Sequence, residues 1–391
     1  MQRRLVSFWM LIVMILVLAA SVSSGLGSTF LLGADISALA QVEKRGGVFL
    51  DHAKPDDAIA IFRQNGWNSF RLRLFVNPNG QGGTVNTLDY TRALARRIKA
   101  SGAVFILDIH YSDTWADPQH QIKPAAWKDL GFADLQKQVE KYTTDVIEDL
   151  QKNGCGPDIV QIGNEITGGT LWPDAQVAVP LSTVKVYDST VKPVTPPQPY
   201  DDVLQWERLC AILAAGARGV RAASEPGHPI RIMIHIDCGG DWPVTQWFFD
   251  HLSAHHIDYD IIGQSYYPYW HGTLENVREN LAQTAARYQK DILIVETAYP
   301  WKNPQRWAQR RNMAWPISPR GQEDFLHDLS GTVSRTPDGH GLGVIYWHPE
   351  LVPAPRGIAQ WNGGDMALFS GDGEALPAMQ LPREIMSPAM P

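Results

Sequence analysis

Between Phe30 and Trp347 the chain alternates short β-branched or aromatic apolar runs with longer stretches whose apolar residues recur at helical spacing. Eight runs stand out: Phe30–Ile36, Ser69–Phe75, Val104–His110, Ile159–Glu165, Ile230–Ile236, Tyr259–Tyr266, Ile292–Thr297 and Leu342–Trp347. A strand buried on both faces is apolar at nearly every position, and strand–helix alternation marks a parallel sheet rather than a sandwich. Eight units predict a closed (β/α)8 TIM barrel of the α/β class. Between the runs, 55–65 carries apolar residues at helical spacing after an acidic first turn, 91–101 does the same before Gly102, and Leu204 to Ala223 forms a long Ala/Leu-rich helix. The adjacent His255 and His256 are expected in the helix before strand six. The Pro/Val-rich stretch 175–199 lacks helical periodicity and falls between strand four and its helix, so it reads as an insertion on the catalytic face.

The N-terminus follows a different pattern. Arg3 and Arg4 precede an apolar stretch from Leu5 to Ala20 and then the small polar run 21–25, the order of a secretory signal. Residues 1–24 are therefore expected to be a cleaved signal peptide, with a secreted or periplasmic mature chain; an uncleaved anchor is the alternative, although the stretch is short for a span. The catalytic domain is expected over 28–385. Roughly 365 residues remain after cleavage, long for an ordinary domain but usual for a barrel with insertions. Losing the two arginines takes the formal net charge from −7 to −9. With no Lys/Arg-rich run, this acidic balance argues against nucleic acid or an anionic membrane surface as partner and is compatible with a neutral polysaccharide. Cys155, Cys210 and Cys238 are too few for a disulfide framework and have no zinc-like spacing, leaving at most one disulfide within the chain. Oligomeric state is not legible.

Two of the apolar runs end on a glutamate, at Ile162-Gly163-Asn164-Glu165 and Ile294-Val295-Glu296-Thr297. A carboxylate at the C-terminal end of a buried barrel strand is out of place unless chemistry needs it. Retaining glycoside hydrolysis needs two carboxyls roughly 5–5.5 Å apart, one to protonate the leaving oxygen and one to attack the anomeric carbon. Neighbouring barrel strands can supply that separation.

Alternation places Arg71 and Arg73 on one face of strand two, and Asp108 and His110 on one face of strand three. The arginines read either as a salt-bridge layer filling the barrel or as the cation that keeps Glu296 ionised, and the two readings are compatible. Asn164 is suited to the sugar 2-hydroxyl. One tyrosine of the 266–270 cluster is expected to face the nucleophile, which one depending on a one-residue register. His110, His235 and Asp237 raise a metallohydrolase reading, but no His-x-His pair ends a strand. Of the 14 tryptophans, Trp67 and Trp206 read as core, whereas Trp115, Trp172, Trp270, Trp301 and Trp347 follow strand ends and suit stacking on a sugar face.

The segments GADIS (33–37), RLRLFVNP (71–78), DIHYSDTWADP (108–118), QIGNEI (161–166), QSYYPYWHGTL (264–274) and VETAYPW (295–301) closely resemble glycoside hydrolase family 53, the endo-β-1,4-galactanases. The likeness runs from about Leu31 to Pro377, where MALFSGDGEALPAM resembles the family's closing segment. The resemblance implies a clan-A barrel that acts with retention inside β-1,4-galactan chains of type I arabinogalactan in pectin. It implies Glu165 as general acid/base and Glu296 as nucleophile, with Arg71, His110, Asn164 and Trp347 in supporting positions. To the substrate-binding face we assign Asp35, Arg71, Arg73, His110, Trp115, Asp117, Asn164, His235, Tyr266, Trp270 and Trp347. The 175–199 insertion and the Pro/Gly-rich 349–364 loop depart from the family pattern and bear on product length. No cofactor is expected; some bacterial members carry a structural calcium, for which no ligand set is legible. A clan-A enzyme for mannan or cellulose, and a sugar-binding barrel without catalysis, are the alternatives; both glutamates being present disfavours the second.

Overall fold

A computed structural model describes residues 29–180, 182, 184, 201–310, 312–351, 358 and 361–381. The expected signal segment and most of the 175–199 insertion lie outside the described residues, as does part of 349–364. The eight parallel strands are β1 (Leu31–Asp35), β2 (Ser69–Leu74), β3 (Val104–Ile109), β4 (Ile159–Ile162), β5 (Arg231–Ile236), β6 (Ile261–Ser265), β7 (Asp291–Thr297) and β8 (Gly341–Trp347). They close in the order β1-β8-β7-β6-β5-β4-β3-β2, so every strand has two neighbours and no edge is exposed. Outside them run α1 (Ala58–Gln64), α2 (Leu88–Ala100), α3 (Phe132–Lys152), α4 (Val203–Ala223), α5 (Trp242–Ala254), α6 (Leu274–Tyr288) and α7 (Pro319–Ser334).

The pleat sorts each strand's side chains into two cores. Outward residues such as Phe70, Leu72, Leu74, Phe105 and Leu107 meet the buried helix faces, together with Trp67 and Trp206, which are core as expected. Inward residues Leu31, Ile106, Ile159, Met233, Ile261, Leu293, Val295, Leu342 and Ile345 pack a separate cluster inside the barrel. At Gly33 even a Cβ would come within 2.2 Å of Ser69 Oγ and 2.5 Å of the Ile345 side chain, so glycine lets β1 close on its neighbours. A side-chain oxygen caps the first turn of six of the seven helices: Asp57, Thr87, Asp202, Asp241, Thr273 and Ser318. Each such cap is worth about 1 kcal/mol.

Three local expectations are corrected. Lys54–Asp56 pairs antiparallel with Phe49–Asp51, so 55–57 is not an acidic first turn; Asp57 caps a helix that begins at Ala58. His255 and His256 fall just beyond α5, where His256 has φ 53°. All three cysteines are buried and free, which lies within the expected limit of at most one disulfide. β4 ends at Ile162 rather than Glu165: Gly163 (φ 84°) and Glu165 (φ 47°) take left-handed conformations that turn the chain outward. For a non-glycine residue that conformation costs on the order of 1–3 kcal/mol, and such strain is concentrated at functional sites.

Candidate active site

The polar residues of the barrel lie above its apolar interior layer, at the C-terminal ends of the strands. Register explains the grouping, because Asp35 pairs with Arg71, Arg73 with Asp108, Asp108 with Gln161, and Ser265 with Glu296. Glu296 owes its position to a bulge. Ile294 pairs with Gln264 but Glu296 with Ser265, so Val295 is the extra residue, and both Val295 and Glu296 turn inward where strict alternation would send Glu296 out.

Arg71 is the hub. Its Nη1 lies 2.8 Å from Glu296 Oε1 and 2.9 Å from Asp35 Oδ2, and its Nη2 lies 2.8 Å from both Asp108 Oδ2 and Asn164 Oδ1. Of the two sequence readings of this arginine, the salt-bridge layer is present, and the guanidinium also touches Glu296. Burial works against ionisation of Asp35, but Arg71 and Arg73 outweigh it and hold that carboxyl below its usual range. For Glu296 the balance goes the other way. Burial raises its pKa to about 7, and Asp108 and Asp35 add to the rise, while Arg71 opposes it. One guanidinium shared among three carboxylates does not keep Glu296 at an ordinary pKa, which corrects the expectation that a neighbouring cation would lower it. Tyr267 donates to Glu296 Oε2 at 3.3 Å, and burial with Glu296 beside it pushes the phenol pKa well up, so it remains a donor.

Glu165 sits in a different setting. It is half-buried, and its Oε1 accepts from Ser265 Oγ at 2.6 Å. Strands four and seven are not neighbours, as β5 and β6 stand between them. The link between the glutamates is Ser265 of β6, bonded to Glu165 and in register with Glu296.

The remaining sequence candidates divide. Asn164 is buried, accepts from Arg71 and donates to Ala116 O at 2.8 Å. His110 Nδ1 accepts from Ala116 N, so Nε2 carries the proton given to Asp108 at 2.9 Å. His235 Nε2 lies 2.8 Å from Ser265 Oγ, and Asp237 accepts from Thr167 at 2.5 Å. Both ring nitrogens of each histidine are thus engaged within the protein. Among the described residues no three His, Cys, Asp or Glu side chains gather as a metal ion would need. Arg73 lies apart from Glu296: it approaches Asp35 at 3.9 Å and His348 Nε2 at 3.0 Å, and stacks 4.3 Å from the Trp115 ring.

Trp115, Trp347 and Trp270 are half-buried and join one aromatic wall through Trp361. Ring centroids are 6.3 Å apart for Trp115 and Trp347, 4.6 Å for Trp347 and Trp361, and 6.4 Å for Trp361 and Trp270. Trp172 and Trp301 form no ring pair with it; their indole N–H groups bond to Gly168 O and Gly364 O.

Two assigned residues do not join the site. Asp117 spends its carboxylate in its own loop, on Gln119 N and His120 Nδ1. Tyr266 is fully buried on the outer face, its hydroxyl on Gly272 O and its ring stacked against Phe325 of α7. The pleat decides this: Ser265 and Tyr267 point into the barrel mouth and Tyr266 between them points out. Sequence reasoning thus chose the wrong tyrosine and missed Ser265, Gln161 and Trp361. The parity of β6 carried the signal for Ser265 and Tyr267, once one of them was known to face in.

A (β/α)8 barrel with two strand-end carboxylates beside an aromatic wall is the architecture of a glycoside hydrolase. The chain belongs to Glycosyl hydrolase family 53, whose model matches residues 31–381. A probable arabinogalactan endo-beta-1,4-galactanase A of Neosartorya fischeri is 36% identical over 82% of this chain and 84% of its own length. Among solved structures, the Ignisphaera aggregans GH53 catalytic domain superposes with TM-score 0.78 at 29% identity, covering 92% of this chain and 97% of its own. A structure described as one of two fungal beta-1,4-galactanases has TM-score 0.75 at 30% identity, with 90% and 98% covered.

Proposed function

We propose that this glycoside hydrolase is an exported, retaining endo-β-1,4-galactanase that cuts galactan in the type I arabinogalactan of pectin. Glu296 is the nucleophile and Glu165 the general acid/base. The observation that carries the reading is Ser265, which hydrogen-bonds one carboxyl and stands in register with the other, so that both flank a single strand end. That closeness suits the roughly 5–5.5 Å of a double-displacement pair better than the wider gap that an inverting enzyme leaves for water.

In the first step the Glu296 carboxylate forms a bond to C1, the bond from C1 to the glycosidic oxygen breaks, and Glu165 gives that oxygen its proton. In the second, Glu165 takes a proton from water as water displaces Glu296. Tyr267 and Arg71 orient Glu296, Asn164 meets the sugar 2-hydroxyl, and the Trp115–Trp347–Trp361–Trp270 wall stacks on apolar sugar faces. Galactan as substrate is supported by the names of the relatives, and export by the N-terminal order of Arg3 and Arg4, apolar run and small residues.

The test is product analysis on linear galactan beside mannan and carboxymethyl cellulose, with the anomer first released followed by proton NMR. Internal cleavage of galactan with the β-anomer appearing first is expected. Preference for another glycan overturns the substrate, and the α-anomer appearing first overturns the mechanism.

A further inference from the structure

His235, Ser265 and Glu165 form a closed ring of hydrogen bonds in which each donor is forced by the next. The backbone N–H of Glu165, a donor that cannot reverse, points at His235 Nδ1 at 3.3 Å; Asn164 Oδ1 also lies 3.0 Å from that nitrogen, but it already accepts from Arg71 Nη2 at 2.8 Å and faces Gln161 Nε2 at 3.1 Å. A nitrogen that accepts from a backbone N–H carries no proton, so His235 is protonated on Nε2. That N–H faces Ser265 Oγ at 2.8 Å and makes the hydroxyl an acceptor on this side. The single hydroxyl proton of Ser265 is then left for Glu165 Oε1 at 2.6 Å.

His235 and Ser265 are fully buried, and burial together with the Arg71 charge keeps the imidazole pKa well below its ordinary value. The ring therefore stays neutral and keeps its direction across the working pH range. The charged and titratable groups around it are Arg71 on β2, Asp108 and His110 from β3, Asp237 after β5, Tyr267 and His271 after β6, and Glu296 on β7.

We propose that His235 and Ser265 are positioning residues that hold Glu165 Oε1 permanently as an acceptor, so that the proton of the acid/base step resides on and leaves from Oε2. The proposal rests on Glu165 being the acid/base. A carboxylic acid has two oxygens that can carry its proton, and only one is aimed at the glycosidic oxygen. With Oε1 taken by a donor that has no second proton to rearrange, the acid form is committed to Oε2–H. In glycosylation that O–H bond breaks as the leaving oxygen gains the proton, and in hydrolysis it forms again from water. The ring itself transfers nothing. It closes through residue 165's own backbone N–H, which ties the left-handed turn at Glu165 to the orientation of its carboxyl.

The test compares Ser265→Ala, Ser265→Thr and Glu165→Ala in the mature chain on linear galactan and on 2,4-dinitrophenyl β-1,4-galactobioside, whose leaving group needs no proton. For Ser265→Ala, kcat on galactan is expected to fall about 10–100-fold, part of the span that acid–base assistance supplies. On the dinitrophenyl substrate kcat/KM should stay within about threefold while kcat and KM fall together, because hydrolysis of the intermediate still needs the base. The alkaline limb of kcat/KM on galactan should move to higher pH, since the ionised carboxylate has lost a donor. Ser265→Thr, which keeps the hydroxyl, should restore all three. Equal losses of kcat/KM on both substrates with an unmoved alkaline limb, or no loss on either, would overturn the ring. If Glu165→Ala itself fails to separate the two substrates, the role of Glu165 is wrong and the ring falls with it; if Glu165→Ala separates them and Ser265→Ala does not, the ring alone is wrong.

Discussion

The two glutamates proposed as nucleophile and acid/base are held by different means. Glu296 sits almost fully buried against a guanidinium that also serves Asp35 and Asp108, whereas Glu165 sits half-buried with its Oε1 on the hydroxyl of Ser265, itself backed by His235. The contrast follows from the task each performs. A nucleophile keeps one ionisation state until it attacks and must stay on the line to C1, and short charge-assisted contacts give that rigidity. An acid/base changes charge twice per turnover, and a hydroxyl donating to one carboxyl oxygen tolerates both of its states.

The comparison breaks most sharply at Glu296. Glu296→Ala deletes the covalent step, so turnover of galactan should fall by at least about 10⁴-fold while the circular dichroism melt remains cooperative. Added azide should restore cleavage of an activated galactoside and give the inverted α-glycosyl azide. Recovery of the β-azide instead would exchange the roles of the two glutamates.

Glu165→Ala should be milder and selective. On galactan the loss is expected at about 10²–10⁴-fold, while kcat/KM on a dinitrophenyl substrate changes little, and azide should yield the β product. Uniform loss across leaving groups would mean that another residue supplies the proton.

The barrel was legible because a strand buried on both faces must be apolar at nearly every position, and all eight strands lie where runs such as Ser69–Phe75 and Ile292–Thr297 placed them. The two glutamates were legible for the same reason, as charges where burial forbids them. What was not legible depended on single-residue register. The bulge at Val295 turns Glu296 inward against the alternation, and no periodicity announces it. Parity along β6 puts Tyr267 on Glu296 and Tyr266 on Phe325, and adjacent tyrosines look alike in a sequence. Ser265 and Gln161 are common strand residues whose importance comes only from what stands opposite them. The raised pKa of Glu296 was hidden because it depends on how many carboxylates share Arg71, a count that requires three strands in place.

The tyrosine register gives a smaller effect. Tyr267→Phe removes the donor to Glu296 Oε2 and should lower kcat about 10–100-fold, one hydrogen bond to a charged group being worth about 1.5–3 kcal/mol, with little change in melting temperature. Tyr266→Phe removes only the bond to Gly272 O, so kcat should hold. The reverse pattern in steady-state rates would place the wrong tyrosine at the nucleophile.

The smallest expected effect is one of stability, and it follows from the same shared arginine. The pKa of Glu296 rises from 4.5 to about 7 on folding. Below pH 4.5 the carboxyl is protonated in both states and costs nothing. As pH rises through the window from 4.5 to 7 the unfolded chain gives up its proton first, so stability is lost, and above 7 the full penalty of at most about 3 kcal/mol is present. Asp35, held below its usual range, contributes with the opposite sign, its stabilisation being lost as pH falls; that loss is complete only at pH values more acidic than this window. Glu296→Gln removes the ionisation while leaving Arg71 its two aspartates. The melting temperature of the variant relative to wild type should therefore climb between pH 4.5 and 8, by at most about 4 °C for a chain of this size. A flat difference across that range would mean that Arg71 compensates Glu296 fully, and the charge-held half of the comparison would lose its distinguishing property.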